Sequence, residues 1–133
     1  MRPTLGSHRR ERPLWIAEFD ESYAVPDCIA QAEGLRDTSW HNNTCPSFDV
    51  SLGHLEHSLC IWVEHPEIEQ RENPYSGPRF MIEFADYGKF GDDAPFGKQT
   101  DTCAILFETE DETLVVPAYL KFLKQYRDWR DSK

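Results

Sequence analysis

Long apolar runs are missing from this chain. No stretch approaches the roughly 18 to 20 apolar residues that a membrane-crossing helix needs, so a helical membrane protein is excluded. The arginine-rich start (Arg2, Arg9, Arg10 and Arg12) is not followed by an apolar segment, so it does not read as a secretory signal. A cytoplasmic protein is the expectation. Tight Cys-x-x-Cys hooks are absent, and Cys28, Cys45, Cys60 and Cys103 are widely and irregularly spaced, as free thiols of a reducing compartment are, with a disulfide in one of three pairings as the alternative. No glycine pattern fits a phosphate-binding loop: Gly88, Gly91 and Gly97 fall among acidic residues that repel phosphate. Nothing resembles an EF-hand, and no internal repeat or low-complexity segment occurs.

Positive charge is scarce where most of the chain lies. Residues 14–117 hold five basic residues against 21 acidic ones, a net of −16 within an overall −10. Such a segment repels nucleic-acid phosphates and anionic membranes, and it attracts basic proteins, including those that hold nucleic acid.

Bulk for a core is present. Over 133 residues, 39% are apolar and 13% aromatic, enough for one folded domain and too short a chain for two. Residues 1–13 read as a flexible basic N-terminal arm and 14–133 as a single α+β domain. Leu14 to Phe19 suits a first strand or a loose lead-in. Asp27 is placed to cap a short helix ending at Gly34, and Trp40 to Val50 reads as an irregular strand with a turn inside it.

Three strands follow from alternation, at 58–64, 79–85 and 102–109. One face carries Leu59, Ile61, Val63, Phe80, Ile82, Phe84, Ile105 and Phe107. The other carries Cys60, Trp62, Met81, Ala104 and Leu106, an apolar strip to be covered by the N-terminal helix or by a partner. Thr113 to Val116 suits a short returning strand. Pro117 is placed at the first position of a last helix, whose apolar stripe is Tyr119, Phe122, Leu123, Tyr126 and Trp129. The predicted fold is an antiparallel sheet of three to five strands, with a short N-terminal helix and a longer C-terminal amphipathic helix packed on one face.

Candidate chemistry is thin. His54, His57 and Cys60, with His41, Cys45 and His65 near in sequence, are of the types that hold zinc, yet Cys60 sits in an alternating strand. His41 and Cys45 are of the types that form a nucleophile and base, yet the surrounding acidity opposes a thiolate. No catalytic residue, metal ligand or cofactor is assigned. The residues singled out for binding are two apolar anchors, Trp40 and Trp62, with the carboxylates Glu64, Glu67, Glu69, Asp92, Asp93, Glu110, Asp111 and Glu112.

The run Trp40-His41-Asn42-Asn43-Thr44-Cys45-Pro46-Ser47-Phe48, followed by Ile61-Trp62-Val63-Glu64-His65-Pro66, then Arg71-Glu72 and Pro78-Arg79-Phe80, resembles small acidic proteins of bacteria and their plasmids or phages. The resemblance covers residues 25–86 and brings no activity, ligand or catalytic residue. It implies a mobile-element setting, where small acidic domains act by blocking a larger host protein.

The expected function is therefore a non-enzymatic protein-binding module. In its sharper form it is a counter-defence inhibitor, anti-CRISPR-like, that occludes the basic nucleic-acid-binding surface of its target without touching nucleic acid or membrane itself. Two rivals stand beside it. One is a small metal-binding or enzymatic domain using His41, Cys45, His54, His57 and Cys60. The other is a homodimer joined through Trp62, Met81 and Leu106.

Overall fold

A computed structural model describes residues 13–53, 56–71, 77–87, 95–96 and 103–132. Residues 1–12 of the basic arm, His54, Asp92 and Asp93 lie outside the described residues.

Five antiparallel strands form one sheet in simple sequence order. They are β1 (Arg36–Asp37), β2 (Ser47–Asp49), β3 (His57–Val63), β4 (Phe80–Asp86) and β5 (Cys103–Thr109). The three long strands are those that alternation predicts, each displaced by about one residue. Among the described residues three α-helices accompany them: α1 (Leu14–Glu18), α2 (Asp27–Ala30) and α3 (Val115–Asp131). The α+β architecture thus matches the expectation. Among the described residues no helix is long and apolar enough to cross a membrane.

The β3–β4 register places Leu59 opposite Phe84, Ile61 opposite Ile82 and Val63 opposite Phe80. These six side chains are buried on the inner face. They meet Val115, Tyr119, Leu123 and Tyr126 of α3, residues spaced three or four apart so that they share one stripe. Burying each large apolar side chain contributes about 1.5–3 kcal/mol. The polar tips are also satisfied: the Tyr119 hydroxyl donates to Leu59 O at 2.7 Å and accepts from Val50 N at 3.0 Å. Burial pushes its phenol well above the ordinary value, which keeps the hydroxyl protonated.

Several local expectations are overturned. Leu14 to Phe19 forms α1 rather than a strand. Helix α2 is only four residues long, Pro26 rather than Asp27 occupies its cap position, and the chain turns before Gly34 at φ +88°. Residues Glu112–Leu114 form a 3₁₀ turn, not a returning strand. Asp111 caps it by accepting from Thr113 N at 2.9 Å and Thr113 Oγ1 at 2.7 Å. This turn starts α3 two residues earlier than predicted. Pro117 falls inside the first helical turn, where a missing N–H still costs no hydrogen bond.

The N-terminal segment also packs on the inner face. Trp15, Val25 and Ile29 join the same core as Phe48 and α3. The described N-terminal residues therefore leave the outer face of β3–β5 uncovered.

A β-bulge changes the outer face. Phe107 pairs with Ile82, but Ile105 pairs with Glu83 and Ala104 with Phe84, so Leu106 is the extra residue. From the bulge towards its N-terminus, β5 is turned over. Ala104 faces inward and is buried, whereas Ile105 faces outward and is 49% exposed. Placing Ile105 in the core, and Ala104 and Leu106 on the outer strip, assumed unbroken alternation. Leu106 instead packs against the core.

Candidate functional site

The uncovered outer face forms a groove. Its floor follows from register: Trp62 lies opposite Met81, which lies opposite Glu108, and Cys60 lies opposite Glu83, which lies opposite Ile105. Glu64 follows the end of β3, and Thr44 and Cys45 from the turn before β2 close one side. Gly77, Pro78 and Arg79 also line the groove, an open concavity of about 670 Å³.

The groove combines apolar and acidic side chains. Trp62, Met81 and Ile105 supply apolar surface, Glu83 and Glu108 stand among them on the sheet, and Glu64 lies at the edge with its Oε1 buried. The indole N–H of Trp62 donates to Glu83 Oε1 at 3.1 Å, which holds the ring in place. Cys60 is buried, and desolvation with nearby Asp49 and Glu83 pushes its thiol far above the ordinary value, so it stays a neutral thiol.

Among the described residues, Arg79 is the one cation lining this groove, and its guanidinium is occupied with structure. Its Nε donates to Glu64 O at 3.1 Å, and its Nη2 donates to Tyr23 O at 2.8 Å and Ala24 O at 2.9 Å. Ala24 has φ +48°, a left-handed conformation unfavourable to a non-glycine residue. The Arg79 bonds help to hold that turn against the sheet. Burial lowers the Arg79 pKa from its ordinary value.

Of the ten residues singled out in sequence, Trp62 and Glu64 line this groove. Trp40 does not. It is 52% exposed at the start of the turn before β2, edge-on to His41. Glu67 and Glu69 are exposed around a 3₁₀ turn at Ile68–Gln70.

Glu110 serves as a clamp. It pairs in bidentate fashion with Arg71 at 2.9 and 3.0 Å and accepts from Arg79 N at 2.9 Å. Arg71 is buried and also donates to His65 O at 2.7 Å and Gly77 O at 3.0 Å. Hydrogen bonding from Arg71, above all, holds the Glu110 carboxyl below its ordinary value. Asp111 is likewise committed, to Thr113, which lowers its pKa. Glu112 remains exposed.

The proposed metal and nucleophile groupings come apart. His57 shares a hydrogen bond of 2.6 Å with the Tyr126 hydroxyl and faces Asp86 at 3.4 Å on the core side. Cys60 lies on the other face of the same strand, because residues an odd number apart point opposite ways. His41 is exposed and bound to Glu18 at 2.9 Å, whereas Cys45 is buried. His65 accepts from Glu67 N at 3.0 Å and contacts Ser22 Oγ at 3.2 Å. Among the described residues no group of three ligand-type side chains converges to hold a metal ion.

Sequence reasoning missed Glu83, Glu108 and Ile105 as groove residues. Glu83 and Glu108 were legible as the polar positions of their strands, on the face shared with Trp62. Ile105 was not, because the bulge that exposes it has no local marker. No protein-family model, curated protein or solved structure matches the chain.

Proposed function

We propose that this chain is a small non-enzymatic protein-binding module that covers a basic, nucleic-acid-binding surface of a larger protein. The observation that carries this reading is the net charge of −16 over residues 14–117. Carboxylates displayed on a rigid sheet stand in for phosphates, and an apolar anchor between them supplies short-range affinity. The outer groove has that composition: Trp62, Met81 and Ile105 between Glu64, Glu83 and Glu108. The resemblance to small acidic proteins of plasmids and phages adds a setting, inhibition of a host defence protein of the CRISPR type.

The metal or cysteine–histidine enzyme is less well supported. Of its five residues, four are described: His57 and Cys60 lie on opposite faces of β3, and exposed His41 is bound to Glu18 while Cys45 is buried.

The test is capture from host lysate on the immobilised protein, washed at low and at high salt, followed by a displacement assay. A single basic nucleic-acid-handling protein should be retained at low salt and shed at high salt. Adding the chain should then release nucleic acid from it. Absence of any salt-sensitive, specifically retained protein overturns the reading.

A further inference from the structure

The geometry points to the outer groove as a docking site for an extended, arginine-bearing segment of the basic partner, with the arginine side chain lying flat on Trp62. This deepens the protein-binding reading and rests on it.

Charge complementarity selects the occupant. The groove places Glu83 and Glu108 beside apolar Trp62, Met81 and Ile105, with Glu64 at its edge, and the guanidinium of Arg79 is turned to backbone carbonyls. A second copy of this chain would bring the same three carboxylates against themselves across a twofold axis. Like charges so placed disfavour self-association. Nucleic acid is disfavoured for the same reason. A cationic segment meets Glu83 and Glu108 while its apolar neighbours cover Met81 and Ile105.

Arginine fits better than lysine for three reasons. Its planar guanidinium stacks on an indole face, its N–H groups lie in that plane, and it sheds water more readily than an ammonium. Trp62 is pre-positioned for this by its hydrogen bond to Glu83 Oε1. A carboxylate has a second oxygen and further lone pairs, so Glu83 can accept from the incoming guanidinium as well.

Size sets the segment's length. From β3 to β5 the floor crosses two strand spacings, about 10 Å. An extended chain of about three or four residues spans that distance, and a groove of about 670 Å³ admits such a piece.

The experiment is a ¹⁵N NMR titration of the full chain with three capped pentapeptides. They carry alternating arginine and leucine, lysine in place of arginine, or neutral citrulline in place of arginine. The Trp62 indole N–H signal is assigned with Trp62→Phe. The arginine peptide should move that signal and the amides of Glu83 and Ile105. The lysine peptide should bind about threefold and the citrulline peptide about tenfold more weakly. The E83Q/E108Q double variant, checked for an unchanged melting temperature, should lose about tenfold. The peptide series on the unaltered chain keeps the test independent of that variant.

Shifts confined to other surfaces overturn the proposal, as does equal affinity for arginine and citrulline. So does a Trp62 signal that depends on protein concentration, which would place a second copy in the groove. So does one that moves when residues 1–12 are deleted, which would place the chain's own arm there. If salt-sensitive capture of a basic protein persists while the groove stays silent, only the location falls. If both fail, the protein-binding reading falls with it.

Discussion

The inner and outer faces of β3–β5 are made by the same strands, yet they do different physical work. The inner face is continuous: Leu59, Ile61, Ile82 and Phe84 meet an apolar stripe of α3, and the Tyr119 hydroxyl that reaches it is bonded there. The outer face mixes half-buried Trp62 and Met81 with Glu83 and exposed Glu108. It is too charged to bury against another element of this chain and too apolar to be an ordinary solvated face. The contrast teaches that one alternating pattern can supply stability on one side and a recognition surface on the other. Substitutions should therefore separate the two.

The largest effect belongs to the inner face. Phe84→Ala removes a ring packed edge-on to Phe96 at 5.0 Å and against Tyr126 at 5.9 Å. It should cost about 3–5 kcal/mol in denaturant unfolding. A loss below about 1 kcal/mol would show that this face is not the core. Arg71→Ala comes next, because it strands buried carbonyls and removes the bidentate partner of Glu110. A loss of about 2–4 kcal/mol is expected.

The same clamp predicts a pH dependence. The Glu110 carboxyl holds its proton less tightly in the folded chain than its ordinary value of 4.5 implies. Its stabilising contribution is thus fully present near neutrality and is lost as the pH falls below that ordinary value towards the folded-state one. Glu110→Gln should flatten this acid limb in melting curves taken against pH. An unchanged limb would assign acid sensitivity to other carboxylates.

Tyr119→Phe keeps the packing and deletes only a buried hydroxyl with two backbone partners. About 1–2 kcal/mol should be lost, with the melting temperature as readout. Smallest of all, Ile105→Thr on the outer face should change stability by less than about 0.5 kcal/mol. A loss of core size there would mean that β5 carries no bulge and that Ile105 points inward.

Much of the fold was legible locally. The stripe Tyr119, Leu123 and Tyr126 announces α3, because three and four residues bring side chains to one helix face. The alternation of Leu59, Ile61 and Val63, and of Phe80, Ile82 and Phe84, announces β3, β4 and the buried side of each. The charge of the chain is a plain count. The candidate site was legible only in fragments: Trp62 and Glu64 were singled out, but Glu83 and Glu108 gain meaning only when register sets them beside Trp62. Glu110 looked like part of an acidic surface until the fold brought Arg71 to it from 39 residues away.

By itself, then, the amino-acid order determined the periodic elements and the charge, since these rest on neighbours within a few residues. Tertiary structure decided the rest. A bulge at Leu106 turned Ile105 outward, because one extra residue reverses a period of two. The N-terminal helices joined α3 on the inner face and left Trp62 and Met81 open. His57 and Cys60 were carried to opposite sides of one sheet. Each of these depends on which distant strand, helix or guanidinium arrives alongside, and a local pattern carries no information about that.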